Sequence, residues 1–209
     1  MPSESFMMRI REIANSDVFR EILLFDTSRP DSKFTKDFSV AVAIFLITYI
    51  TVYISLKVYL AASGSSQRKY NDITYNGFLK SMDSLDKKHI TKDKFLLLGT
   101  LGSSIWPAIN EELLFRFIVL KVVLVGKLKL NIHLAVFISA LLFALVHYNN
   151  WFRTDATMAE SHVQVLQTFM LGILFGYSYY YTNNIITPMM AHFFNNFAVT
   201  LNIYSALPK

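Results

Sequence analysis

Six polar side chains stand inside stretches of this sequence that are otherwise apolar: Glu111, Glu112, Arg116, His147, His192 and Asn196. An ionised group at the centre of a membrane helix costs roughly 2.5–3.5 kcal/mol, so each needs a partner or a chemical task. Glu112 precedes Arg116 by four residues, the favourable order for a helical ion pair that neutralises both charges. Glu111 is left without a partner in its own helix and projects about 100° away from Glu112, toward a different surface. His192 and Asn196, also four apart, share one face of a helix. A carboxylate, two imidazoles and an amide on three separate helices are the parts needed to activate water and to stabilise an oxyanion. The same Glu111, His147 and His192 could supply a carboxylate and two imidazoles to a metal, but no HExxH motif is present, and no Gly-x-Ser-x-Gly elbow marks a serine hydrolase. His89, His133, His162 and Asn195 read as packing or interfacial residues.

The elements that must carry these groups are membrane helices. The 209 residues are 53% hydrophobic and only 17% charged, and from Ser161 to Pro208 there are 48 consecutive residues without Asp, Glu, Lys or Arg. That is room for two spans of about 20 residues. The composition predicts an all-α, polytopic transmembrane bundle of about five to six membrane helices that encloses a polar catalytic cavity. The net charge of +5 lies in polar connections, where anionic lipid headgroups are the nearer partner, so membrane lipids are expected and nucleic acid is not. The absence of cysteine excludes disulfides, thiolate metal sites and a cysteine nucleophile.

Along the chain, residues 1–37 form a soluble or interfacial arm, with Phe19, Ile22, Leu23 and Phe25 able to make a short amphipathic turn. Residues 38–62 form the first transmembrane helix, and 63–94 a polar basic linker. Residues 95–209 hold the six polar groups. There Phe95–Val125 is expected to kink or break near Pro107, which lacks a backbone donor. Further spans follow at Leu130–His147, Val163–Tyr181 and Ile185–Leu207, with Tyr179, Tyr180 and Tyr181 placed as an aromatic belt. Lysine and arginine are nearly balanced across the first span, so orientation stays open.

At these residues the chain resembles the CAAX protease and bacteriocin-processing family of intramembrane proteases, also called the Abi family. Glu111-Glu112-Leu113-Leu114-Phe115-Arg116 is similar to its EExxxR motif, Phe143-Ala144-Leu145-Val146-His147 to its FxxxH motif, and His192-Phe193-Phe194-Asn195-Asn196 to its HxxxN motif. The likeness covers roughly Phe95 to Tyr204, and Phe117 departs from the glycine that many members carry after the arginine. The resemblance implies a glutamate-type endopeptidase without metal or other cofactor. In it Glu111 and His147 deprotonate water, His192 and Asn196 hold the oxyanion, and Glu112 and Arg116 shape the site. It also implies a peptide or membrane-protein substrate and, by family analogy alone, a bacterial role in bacteriocin self-immunity or peptide processing. Two readings of other classes stand beside it: a non-catalytic immunity or binding protein, and a small ion transporter with a Glu/His relay.

Overall fold

The computed structural model describes residues 31–64, 92–147 and 158–206. The expected amphipathic turn, His89, the side chain of His162 and most of the expected arm and linker lie outside the described residues. Among the described residues the chain is all-α, in five helices. Helix α1 is Asp31–Ser63. Helix α2 covers 92–127 in four abutting segments, Lys92–Leu98, Gly99–Ile105, Trp106–Glu112 and Leu113–Lys127. Helix α3 is Ile132–Val146, α4 is Met158–Thr182 and α5 is Ile186–Ala206.

Two segments of α2, Gly99–Ile105 and Leu113–Lys127, have the wide π pitch, in which an amide reaches the fifth residue back rather than the fourth. This removes the break expected at Pro107. The preceding N–H, from Trp106, bonds to the Leu101 carbonyl, and Pro107 occupies the first turn of the next α segment, where its missing donor costs least. The helix therefore runs on through the proline, with a change of pitch.

The long contacts fix an antiparallel arrangement. Ser104 Oγ meets Thr200 Oγ1 at 3.3 Å and His192 meets Glu112 at 2.8 Å, which runs α5 against α2. Ser139 Oγ donates to the Phe115 carbonyl at 2.8 Å, joining α3 to α2 through a buried bond. Helix α1 is held to the others at two levels: Gln167 Nε2 donates to Ser55 Oγ at 2.6 Å, and Asn184 Nδ2, in the α4–α5 turn, donates to Asp37 Oδ2 at 2.8 Å. In an apolar medium such interhelical hydrogen bonds are the available glue.

The closest packing is between α3 and α4. A Cβ on Gly172 would lie 2.9 Å from the Ala140 Cα, and one on Gly176 2.9 Å from Val136 Cγ1. Glycines four apart let the two backbones approach as side chains would not. At the end where α2 turns into α3, Phe117, Leu120, Leu124, Val136, Tyr179 and Ile185 form a core cluster. Tyr179 is therefore buried, whereas Tyr180 and Tyr181 remain exposed where a belt would lie. Phe117, at the position of departure from the family pattern, packs into this core.

The exterior is apolar on every helix, for example Ile50 on α1, Trp106 on α2, Leu145 on α3, Leu166 on α4 and Val199 on α5. Among the described residues one helix, Thr35–Ala62, is long and apolar enough by itself to cross a bilayer. Helix α3 is apolar but spans only about 22 Å.

The glycine contacts make a prediction. Gly172→Ala should destabilise the protein by about 1–3 kcal/mol through overpacking against backbone, whereas Gly102→Ala, with nothing within 4 Å of the added carbon, should be neutral or stabilising. Thermal unfolding of both variants in detergent, beside the parent, measures the difference; equal melting temperatures would remove the claim of tight α3–α4 contact.

Candidate active site

Three of the helices, α2, α3 and α5, carry the sequence-predicted residues, and α4 packs a ring against them. Glu111 and Glu112 end the α-pitched segment of α2, and adjacent positions on a helix diverge, so the two carboxylates face different surroundings. Glu112 is fully buried, and Glu111 is 30% exposed. Arg116, one turn further on, is also fully buried and places Nε 2.9 Å from Glu112 Oε2. The ion pair expected from the four-residue spacing is present.

The guanidinium lies under aromatic rings. Its carbon is 4.5 Å from the centroid of Phe143 on α3 and 5.5 Å from that of Phe175 on α4. Within the described residues none of the three guanidinium nitrogens makes a hydrogen bond, so the close ionic contact with Glu112 and the ring faces supply its electrostatic complement. Phe175 also stacks on the His192 ring, at 5.1 Å between centroids. These two phenylalanines were not singled out from sequence. Phe143 opens the FxxxH pattern, which was the available signal; Phe175 lies in a featureless apolar span.

His192, on α5, is 5% exposed. Its Nδ1 is 2.8 Å from Glu112 Oε1 and its Nε2 is 3.9 Å from Glu111 Oε2. His147 caps the C-terminus of α3. Its Nδ1 is 2.8 Å from the Phe143 carbonyl, and its Nε2 is likewise 3.9 Å from Glu111 Oε2. Both imidazoles thus turn the same nitrogen toward one carboxylate oxygen.

Asn196 sits one turn beyond His192 on α5. Its Oδ1 accepts from Asn195 Nδ2 at 3.4 Å, which leaves its own amide N–H groups to donate elsewhere. Among the described residues, no group of three or more His, Asp or Glu side chains is arranged to hold a metal ion. His133 bonds to Tyr177 OH at 2.7 Å, in a different part of the bundle. Beside the cluster, Ile105, Ala108 and Ile109 of α2 and Met189, Met190 and Phe193 of α5 line a pocket of about 160 Å³, almost wholly apolar.

Removing one member of a buried pair strands the other, which costs about 3–5 kcal/mol, whereas replacing both by apolar or neutral groups is often nearly neutral. Arg116→Met alone should therefore lower the melting temperature sharply, and adding Glu112→Gln should restore most of the loss. A double-mutant cycle followed by thermal unfolding in detergent tests this coupling; additive losses would show that the two charges do not support each other.

A scan against protein-family models matched residues 93–198, just over half of the chain, to the type II CAAX prenyl endopeptidase Rce1-like family. Searches of curated proteins and of solved structures returned no match. The match takes in all six polar residues, five of which, Glu111, Glu112, Arg116, His147 and His192, are joined by the contacts above, with Asn196 one turn beyond His192. The chain belongs to the Rce1-like family, and so to the membrane-embedded endopeptidases of the CAAX type.

Proposed function

We propose that this protein is a multi-pass membrane endopeptidase of the glutamate type, with Glu111, His147, His192 and Asn196 as its catalytic residues and without a metal or other cofactor. The observation that carries the reading is the convergence of both histidine Nε2 atoms on Glu111 Oε2, at 3.9 Å each. That separation lets a single water oxygen lie within hydrogen-bond length of the carboxylate and of either imidazole. Glu111 and His147 take the proton of that water as it attacks the scissile carbonyl. His192 and Asn196, one turn apart on α5, face the oxygen on which charge develops.

Glu112 and Arg116 shape this site by holding His192 in place. The apolar exterior of all five helices supports insertion of the whole bundle rather than of α1 alone. Glu111 is 30% exposed, yet its Oε2 is buried and without a hydrogen-bond partner among the described residues, which supports a small polar cavity holding water at that oxygen. The substrate is a membrane-associated protein or peptide, and the adjoining apolar pocket suits a hydrophobic part of it near the scissile bond. We place the protein in a bacterial cell membrane, acting in bacteriocin self-immunity or peptide processing, by analogy with the family resemblance.

Glu111→Gln keeps the shape and removes the charge, so proteolysis should fall by at least about 100-fold. Comparison of new peptide termini in host membranes expressing the parent or this variant at equal level measures it, and names the substrate. Termini that appear equally with both would transfer the argument to the non-catalytic immunity protein; pH-driven ion flux in vesicles without cleavage would favour the transporter.

A further inference from the structure

The hydrogen-bond network around the two histidines determines which of their nitrogens carry protons. Glu112 Oε2 lies 2.9 Å from the Arg116 guanidinium, which stays charged in proteins, so Glu112 is an ionised carboxylate and accepts only. His192 Nδ1, 2.8 Å from the other oxygen of that carboxylate, must therefore be the donor. His147 Nδ1 faces the Phe143 carbonyl at 2.8 Å, and a carbonyl also only accepts. In the neutral state both imidazoles are Nδ1–H tautomers, and both bare Nε2 atoms point at Glu111 Oε2. Three acceptors meet there. His192 can donate to an oxyanion only after it has gained a proton at Nε2.

The two histidines differ in what stands behind them. His147 is backed by a neutral carbonyl dipole, and His192 by a full carboxylate. Charge-assisted hydrogen bonds are about twice as strong as neutral ones, so Glu112 holds the His192 ring more firmly than the carbonyl holds that of His147. Among the described residues, the ionisable groups around His192 are Glu111 and Glu112 of α2, with Arg116 behind Glu112 and His147 across Glu111 Oε2; α3 and α4 present the rings of Phe143 and Phe175.

We propose that Glu112, clamped by Arg116, is the positioning residue that sets the tautomer of His192 and makes His192 the proton donor to the leaving amine. The inference rests on the protease reading above. Water, oriented between Glu111 and the bare Nε2 of His147, bonds through its oxygen to the carbonyl carbon while one of its protons passes by way of this pair to rest on Glu111. That proton crosses from Glu111 Oε2 to His192 Nε2, and the resulting imidazolium faces the oxyanion on one side and Glu112 on the other. The tetrahedral intermediate then collapses, the C–N bond breaks, and Nε2 hands its proton to the nitrogen. One water and one peptide bond have become a carboxylic acid and an amine, and both side chains return to their starting states.

The test uses the full chain in detergent, with ¹⁵N-labelled histidine and a fluorogenic prenylated CAAX-type peptide as the kinetic probe. The His192 signals are identified by difference against His192→Gln. In the parent they should report a protonated Nδ1 and a bare Nε2; a bare Nδ1 with a protonated Nε2 overturns the assignment. Glu112→Gln paired with Arg116→Met removes the carboxylate without stranding a charge. This double variant should keep its fold and lose at least about 100-fold in kcat, with KM within about threefold of the parent. A folded double variant whose kcat stays within about threefold of the parent overturns the role of Glu112. Failure of the reading beneath it looks different: Glu111→Gln would then cleave the peptide as the parent does, and the proton-delivery step would fall with it.

Discussion

A carboxylate and a guanidinium withdrawn together from water are the constraint around which the bundle is built. Each ion loses several kcal/mol of hydration, and their mutual attraction offsets that loss only where geometry and further bonds are good. Glu112 divides its oxygens between the two partners, Oε1 in a hydrogen bond with His192 and Oε2 in ionic contact with Arg116. Arg116 is compensated by that one carboxylate and two aromatic faces. Phe143 and Phe175 can reach the guanidinium because α3 and α4 approach at Gly172 and Gly176. A contact between backbones elsewhere in the bundle is thus a condition for the charge pair, and the charge pair for the orientation of a histidine.

Local features of this site were legible in the sequence, and those set by tertiary geometry were not. The Glu112–Arg116 pair follows from a spacing of four within one helix, and so does the divergence of Glu111 from Glu112. The shared face of His192 and Asn196 is equally local. The bond from His192 to Glu112 joins residues 80 apart in sequence and depends on how far each helix is rotated about its axis. Hydropathy carries no information on that angle. The same limit explains Tyr179, assigned to a belt by its neighbours and found in the core. At Pro107 the expected break assumed α pitch throughout, and the chain used a wider turn instead.

The family likeness begins at residue 93, so helix α1 lies outside it. Even so, α1 is bonded to α4 through Ser55 and Gln167, and to the α4–α5 turn through Asp37 and Asn184. That turn leads directly into the helix that carries His192 and Asn196. Phe45 of α1 also packs its ring against Phe194, at 5.7 Å between centroids. The first helix is therefore a wall of the same bundle as the matched core and supports the placement of α5.

The change of pitch in α2 bears on how such a chain can change its length. In a helix of uniform pitch, inserting or deleting one residue rotates everything beyond it by about 100°. Such a change ahead of Glu111 would swing both carboxylates off their partners. The wide turns of Gly99–Ile105 hold a surplus of residues over an α-helix of the same height. Loss of one residue there can be absorbed by a local return to ordinary pitch, with Trp106 onward left in place. The segment ahead of the carboxylates is thus a reserve of slack, where homologous chains of different length can keep a common site.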